Sequence, residues 1–114
     1  MERAGESFGS VFFTNGGADA NENAVRMARG YTGRRKVMSA YRSYHGATST
    51  AISLTGDPRR WANEPSDSSV VHFYGPYTYR SAFWSEDEGQ ECERALAHLE
   101  QQIMGRLGCL FLLK

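Results

Sequence analysis

The sequence predicts an α/β fold built on a mostly parallel sheet with helices packed against it. Short β-branched and aromatic runs alternate with helix-patterned segments in the order β-α-β-α-β-α-(β). Alternation of this kind implies parallel strands joined by helical crossovers, right-handed by rule. The first run also meets its helix across only Asn15, Gly16 and Gly17, a connection of the length such units use. Ligands of open parallel sheets bind at the carboxyl ends of the strands, where residues 14–18 and 41–46 fall.

The elements follow in order. Val11 to Thr14 is apolar on both faces and reads as a short buried strand. After it, Ala20, Ala24, Met27, Ala28 and Tyr31 share one helical face. Glu22 and Arg26 are spaced as an outward i,i+4 pair. Asp19 and Glu22 near the start of this helix, with Arg26 and Arg29 near its end, suit its dipole, and Gly33 breaks the pattern. Lys36 to Tyr41 is a second strand. Ala47 to Thr55 reads as a short helix with Gly56 as its C′ residue and Pro58 beyond. Residues 57–69 are polar and turn-rich, a loop, and Val70 to Tyr74 is a third strand. The aromatic loop 75–84, with Tyr77, Tyr79, Phe83 and Trp84, suits a substrate entrance, a subunit contact or plain packing. Ser85 and Glu88 are spaced as a capping box. Cys92, Ala95, Leu96, Leu99 and Ile103 then give an amphipathic helix closed by Gly105, and 109–114 (CLFLLK) reads as a fourth strand cut short.

Composition narrows the function classes. A chain of 114 residues is one small domain or part of a larger one, and 40% hydrophobic residues allow a modest core. Thirteen basic and thirteen acidic side chains cancel, which gives no electrostatic reason to expect nucleic acid or an anionic membrane as partner. Cys92 and Cys109 form no C-x-x-C pair and are too few for a disulfide scaffold, so a reducing cytoplasm is expected. The start, MERAGESFGS, has no apolar signal region, and no run approaches the ~18 apolar residues of a membrane span. No metal site is expected, because His45, His72 and His98 are widely spaced and no Cys/His pair has ligand spacing.

Two stretches carry chemistry. In 14-TNGGAD-19 the glycines let a ligand approach the backbone without a Cβ in the way. The amides of Gly17, Ala18 and Asp19 point unpaired out of the helix start, where a phosphate satisfies them and meets the positive end of the dipole. Asp19 would repel that phosphate, so its carboxylate is expected to turn away, capping amides or pairing with a cation. Neither the Walker loop nor the G-x-G-x-x-G fingerprint is present, and on spacing alone a plain strand-to-helix connector is the stronger reading. In 41-YRSYHGAT-48, Tyr44 and His45 are two flat rings before a glycine. Either ring can lie against a planar aromatic ligand, but Tyr44 can equally serve as an ordinary core or rim aromatic, and for His45 a structural hydrogen bond is the stronger reading. No G-x-S-x-G elbow exists.

Taken together, these stretches resemble class III (ω-type) aminotransferases, which use pyridoxal 5′-phosphate. TNGGADANENAVRMAR resembles that family's phosphate-binding turn and helix: a small-residue turn, an acidic residue, A-N-E, then a helix ending in A-R. YTGRRKVMSAYRSYHGAT resembles the family's next block, Y-T-G-R-x-K-[VI] followed by an aromatic-His-Gly, and the likeness continues through AISLTGDPRRW. It is close over residues 10–62 and looser over 70–103. Two linked motifs at family spacing outweigh the connector reading. The wording GGADANE and YRSYHG also resembles the branch acting on ω-amino donors with pyruvate, such as taurine or β-alanine.

The resemblance implies a partial fold-type-I pyridoxal-phosphate transferase large domain, with residues 1–114 supplying a single segment. Its phosphate turn is 14–19 and its aromatic-His-Gly block 41–48. The amides of Gly17 and Ala18 would hold the cofactor phosphate, Tyr44 would stack on the pyridine ring, and His45 would support it; Glu22 would lie near the active-site mouth. The implied activity moves an amino group from a primary amine or ω-amino acid donor to a keto acid such as pyruvate, in a cytoplasmic homodimer with shared active sites. The family's Schiff-base lysine and pyridinium aspartate lie downstream of the YHG block. The lysines here are Lys36, which matches the head of the second strand, and Lys114. The chain by itself is therefore expected to be inert, with no catalytic residue assigned. The departure of GRLGCLFLLK from the family's usual strand suggests a truncation or a frame error, and the isolated chain is expected to be poorly soluble or molten. Two alternatives stay open: a non-catalytic phosphometabolite-binding or assembly module, and part of a related class III aminomutase or decarboxylase.

Overall fold

The computed structural model describes residues 9–105 and 109–113. The fold is organised around Lys36–Ala40, strand β1. Its residues alternate between two layers, as successive strand residues must. Val37 packs with Val25 and Leu54 on one side. Met38 and Ala40 pack with Val71 and Phe73 on the other, with Leu99 against them. Val37 to Ala40 are all buried, the signature of a strand covered on both faces.

Val70–Phe73 forms β2 and pairs with β1 in parallel, with Val37 opposite Val70 and Ala40 opposite Phe73. Cys109–Leu113 forms β3 and pairs in parallel with the other edge of β1, with an irregularity between Lys36 and Met38. The sheet order is β2-β1-β3. Helices α1 (Gly17–Thr32) and α2 (Ser49–Leu54) supply the Val25 and Leu54 layer. Helix α3 (Glu88–Gly105) supplies Leu99 to the opposite layer. The α/β class and the parallel sheet expected from the sequence are therefore present.

Four local expectations are corrected. The run Val11 to Thr14 forms no strand. A strand exists by its hydrogen-bonded ladder, and no described strand pairs with this run, so its side chains stay out; Phe13 is 88% exposed. Helix α1 does span the expected segment and ends at Gly33 in a left-handed conformation, but a different face is buried. Met27 is exposed and Tyr31 is 94% exposed, while Asn23 and Val25 are buried. The inward stripe is chosen by polar side chains with distant partners. Arg29 is one: it donates from Nε to the Arg35 carbonyl at 2.9 Å and from Nη2 to Ser69 Oγ at 2.5 Å, and it pairs with Asp67 at 3.3 Å.

The start of α3 is capped by Asp87, whose Oδ1 accepts from the Gln90 amide at 2.8 Å, and not by a Ser85–Glu88 box. Ser85 instead donates to Glu91 Oε2 at 2.5 Å. The buried face of α3 accordingly runs through Glu91, Ala95 and Leu99, with Cys92 and Leu96 outside. Lastly, the loop 57–69 contains a 3-10 helix, Pro58–Asn63, whose first turn is capped by Asp57.

Candidate functional site

Helix α1 opens on the glycine turn. Gly16 precedes it in an extended conformation (φ 179°, ψ 173°) and no side chain caps the helix. The Ala20 amide donates to the Gly16 carbonyl at 2.9 Å. The amides of Gly17, Ala18 and Asp19 come before that bond, so they have no partner within the helix. A Cβ built at Gly16 or Gly17 meets nothing within 4 Å, so the space in front of the turn is open and packing in this chain does not demand either glycine. The Asp19 carboxylate is engaged locally, accepting from the Asn15 amide at 3.3 Å and from Asn23 Nδ2 at 3.1 Å, as expected of a side chain that caps amides.

The structure brings the second motif against this turn. A Cβ on Gly46 would lie 2.5 Å from the Ala18 Cβ and 2.9 Å from its Cα, so the absence of a side chain at Gly46 lets the two segments touch. Asn21 Nδ2 donates to the His45 carbonyl at 2.7 Å. The buried Thr55 hydroxyl accepts from the His45 amide at 3.1 Å and donates to the Ala51 carbonyl at 3.1 Å. Residues 45 and 46 are thereby held between the start of α1 and the end of α2. Sequence reading missed Asn21 and Thr55 as positioning residues. The A-N-E triplet carried a signal for Asn21, whereas Thr55 carried none.

Glu22 is not the outward partner of Arg26. Its Oε1 accepts from Thr48 Oγ1 at 2.8 Å and from the amides of Thr50 and Ala51 at 2.6 and 3.1 Å, so α1 caps α2. Arg26 donates to Asn23 Oδ1 instead. Partial burial pushes the Glu22 carboxyl up, but the hydrogen bonds from Thr50, Ala51 and Thr48 outweigh it and hold its pKa below the ordinary value. A carboxyl lowered on folding adds stability that is present above the ordinary glutamate range and is lost as pH falls through the folded value. Glu22→Ala is therefore expected to cost about 1 kcal/mol at neutral pH. The gap to wild type should narrow in strong acid, as read from urea denaturation at both pH values.

Tyr44 is 48% exposed, and the Arg59 guanidinium lies 3.8 Å from its ring centroid. His45 is partly buried, and burial holds its pKa below the ordinary histidine value, so the ring is neutral at physiological pH. Its Nε2 is buried with no hydrogen-bond partner among the described residues. The structure thus places His45 beside the turn through Asn21 and Gly46, while the ring contact it gives Tyr44 is with Arg59.

A cavity of about 670 Å3 opens at the carboxyl ends of β1 and β2, lined by residues that include Tyr41, Arg42, Phe73, Tyr74 and Tyr77. The aromatic loop that supplies Tyr77 is tied down by Glu91. That buried carboxylate accepts from the Tyr77 amide at 2.9 Å and from the Ser81 and Ser85 hydroxyls. These hydrogen bonds, led by Ser81, hold its pKa below the ordinary value.

Residues 2–111 match the aminotransferase class-III family. The chain is 38% identical over 78 residues to an alanine–glyoxylate aminotransferase 2 homologue of Arabidopsis thaliana, covering 68% of the chain and 16% of that protein. It is 39% identical over 79 residues to an isoleucine 2-epimerase of Lentilactobacillus buchneri, covering 68% of the chain and 19% of that protein. A solved taurine:2-oxoglutarate aminotransferase from Bifidobacterium kashiwanohense, in complex with pyridoxal phosphate and glutamate, superposes with a TM-score of 0.80 at 40% identity, covering 89% of the chain and 24% of that structure. The chain thus spans under a quarter of each of these proteins. Among the described residues, no helix is long and apolar enough to cross a membrane.

Proposed function

Because the chain belongs to the class-III aminotransferase family, whose members are pyridoxal-phosphate-dependent transaminases, we propose that it forms the phosphate-holding and ring-stacking segment of such a site. The observation that carries this is the junction of the two motifs: Gly46 against Ala18, and Asn21 bonded to the His45 carbonyl. The residues present fit the cofactor. The turn is open in front of Gly16 and Gly17, and His45 Nε2 is buried without a partner among the described residues.

In this reading the Gly17 and Ala18 amides donate to the phosphate at the positive end of the α1 dipole. Tyr44 offers a ring face to the pyridine plane. His45, kept neutral by burial, supports that ring without adding a cation. Glu22 acts at one remove, fixing α2 and so the 44–48 stretch. When bound, the cofactor supplies an electron sink for the charge that develops at the amine-bearing carbon.

The reaction proposed for the whole protein is transfer of an amino group from a primary amine or ω-amino acid, such as taurine or β-alanine, to a keto acid such as pyruvate, within a cytoplasmic homodimer. The loop 75–84 would shape the donor's entrance. These 114 residues by themselves are inert in this reading. Lys36 heads β1, roughly 13 Å of strand away from the end that leads into the site, and Lys114 lies outside the described residues. The likeness to an isoleucine 2-epimerase favours a second reading of the whole protein, a related chemistry on the same cofactor.

The test is titration with pyridoxine 5′-phosphate, which has the ring and the phosphate but no aldehyde to react with lysines. Saturable amide shifts at Gly17 and Ala18, weaker with inorganic phosphate and lost with unphosphorylated pyridoxine, are expected. Shifts that spread over the surface without saturating would overturn the reading.

A further inference from the structure

We infer that Arg59 is a positioning residue for the cofactor ring, acting through Tyr44; the inference rests on the cofactor reading above. The Arg59 guanidinium lies 3.8 Å from the Tyr44 ring centroid, a stacking distance for a planar cation. Asp57 holds it there: Arg59 Nε lies 3.0 Å from both carboxylate oxygens, and Nη2 also donates to Oδ2. Asp57 Oδ1 in turn accepts from the Arg59 amide at 3.0 Å, at the first turn of the 3-10 helix. The fork is thus fixed by its own helix cap, which sits 13 residues along the chain from the ring it covers.

This arrangement has two consequences. Arg59 covers one face of Tyr44, and the residue is still 48% exposed, so in this proposal the face opposite Arg59 is the one offered to a planar partner. A ring with a single open face binds in one orientation, whereas a free tyrosine edge does not. Arg59 is also paired with a carboxylate, so its role is that of a flat, rigid backing and not of an anion receptor. Lysine cannot replace it in that role, because an ammonium is neither planar nor forked.

Two independent readouts test this on the full chain. The first is geometric and needs no cofactor: the Arg59 side-chain methylene protons should show upfield ring-current shifts that vanish in Tyr44→Ala and weaken in Asp57→Asn. The second is affinity for pyridoxine 5′-phosphate. Tyr44→Ala should weaken it most, Arg59→Ala by about threefold, and Arg59→Lys should not restore it. Circular dichroism of these surface variants should match wild type. Binding that depends on Tyr44 but is unchanged in Arg59→Ala overturns this inference and leaves the cofactor reading standing. Tighter binding in Arg59→Ala also overturns it, since Arg59 would then occupy the place of the ring. Absence of saturable binding by the wild-type chain overturns both.

Discussion

Gly46→Ala is expected to separate the two motifs that make the site, with a cost of about 3 kcal/mol or more. The position is doubly demanding. Its φ is +125°, a conformation that a residue with a Cβ rarely adopts, and the added methyl would meet the Ala18 Cβ at 2.5 Å and the Ala51 Cβ at 3.1 Å. None of these neighbours is the loose end of a long side chain. Ala18 belongs to the first turn of α1 and Ala51 to the buried face of α2, so relief requires moving a helix. The Asn21 bond to the His45 carbonyl should open with it. Urea denaturation gives the stability loss, and the Gly17 and Ala18 amides should stop responding to pyridoxine 5′-phosphate. Gly30→Ala is the contrast. A Cβ there meets nothing within 4 Å inside α1, so that change should stabilise by roughly 0.8 kcal/mol. Equal behaviour of the two variants would show that the Gly46–Ala18 contact does not hold the site.

The contrast also marks what the sequence could and could not carry. Strands β1 and β2 were legible as short, largely apolar runs bounded by turns: β1 is buried from Val37 to Ala40, and in β2 the buried Val71 and Phe73 alternate with the half-buried Val70 and His72. The existence and end of α1 were legible from its period and from Gly33. Which face of α1 turns inward was not. Apolar periodicity pointed to Met27 and Tyr31, but Asn21, Glu22 and Arg29 turn inward because their partners sit at residues 45, 48–51 and 67–69, which no local pattern encodes. The same holds for α3, where Glu91 outranks Cys92 because a loop 6 to 14 residues away supplies its donors. VFFT reads as a strand by composition, yet a strand is a pairing and not a composition. At the site, the closeness of Ala18, His45 and Gly46 could be reached only through family resemblance, and the Arg59 stack on Tyr44 not even so.

Gly56 presents the sharper case, since sequence reading had it as the C′ residue of α2 and the structure gives it another role. The residue before it, Thr55, is extended (φ −60°, ψ 126°), so the helix does not end in a left-handed glycine. What Gly56 supplies is close approach. A Cβ there would lie 2.2 Å from the Ala40 carbonyl oxygen and 2.6 Å from the Tyr41 Cα, both backbone atoms at the end of the central strand. The approach allows a two-bond clamp, in which the Gly56 amide donates to the Ser43 carbonyl at 2.8 Å and the Gly56 carbonyl accepts from the Arg42 amide at 2.9 Å. Arg42 needs that restraint, because its φ of 60° is left-handed and unfavourable for a residue with a side chain. Gly56→Ala is thus expected to cost more than about 3 kcal/mol, since overlap with backbone cannot be relieved by a rotamer change. Hydrogen exchange should localise the damage: the Arg42 and Gly56 amides should lose protection together. The Arg59 ring-current shift from Tyr44 should collapse as well, because Tyr44 follows the clamped pair directly. Amides in α1, whose link to this loop runs through Gly46 and Asn21, should lose less. If the Arg42 and Gly56 amides lose protection while the Arg59 ring-current shift persists, the clamp is not what aims Tyr44, and the ring's placement must come from the Arg59 stack.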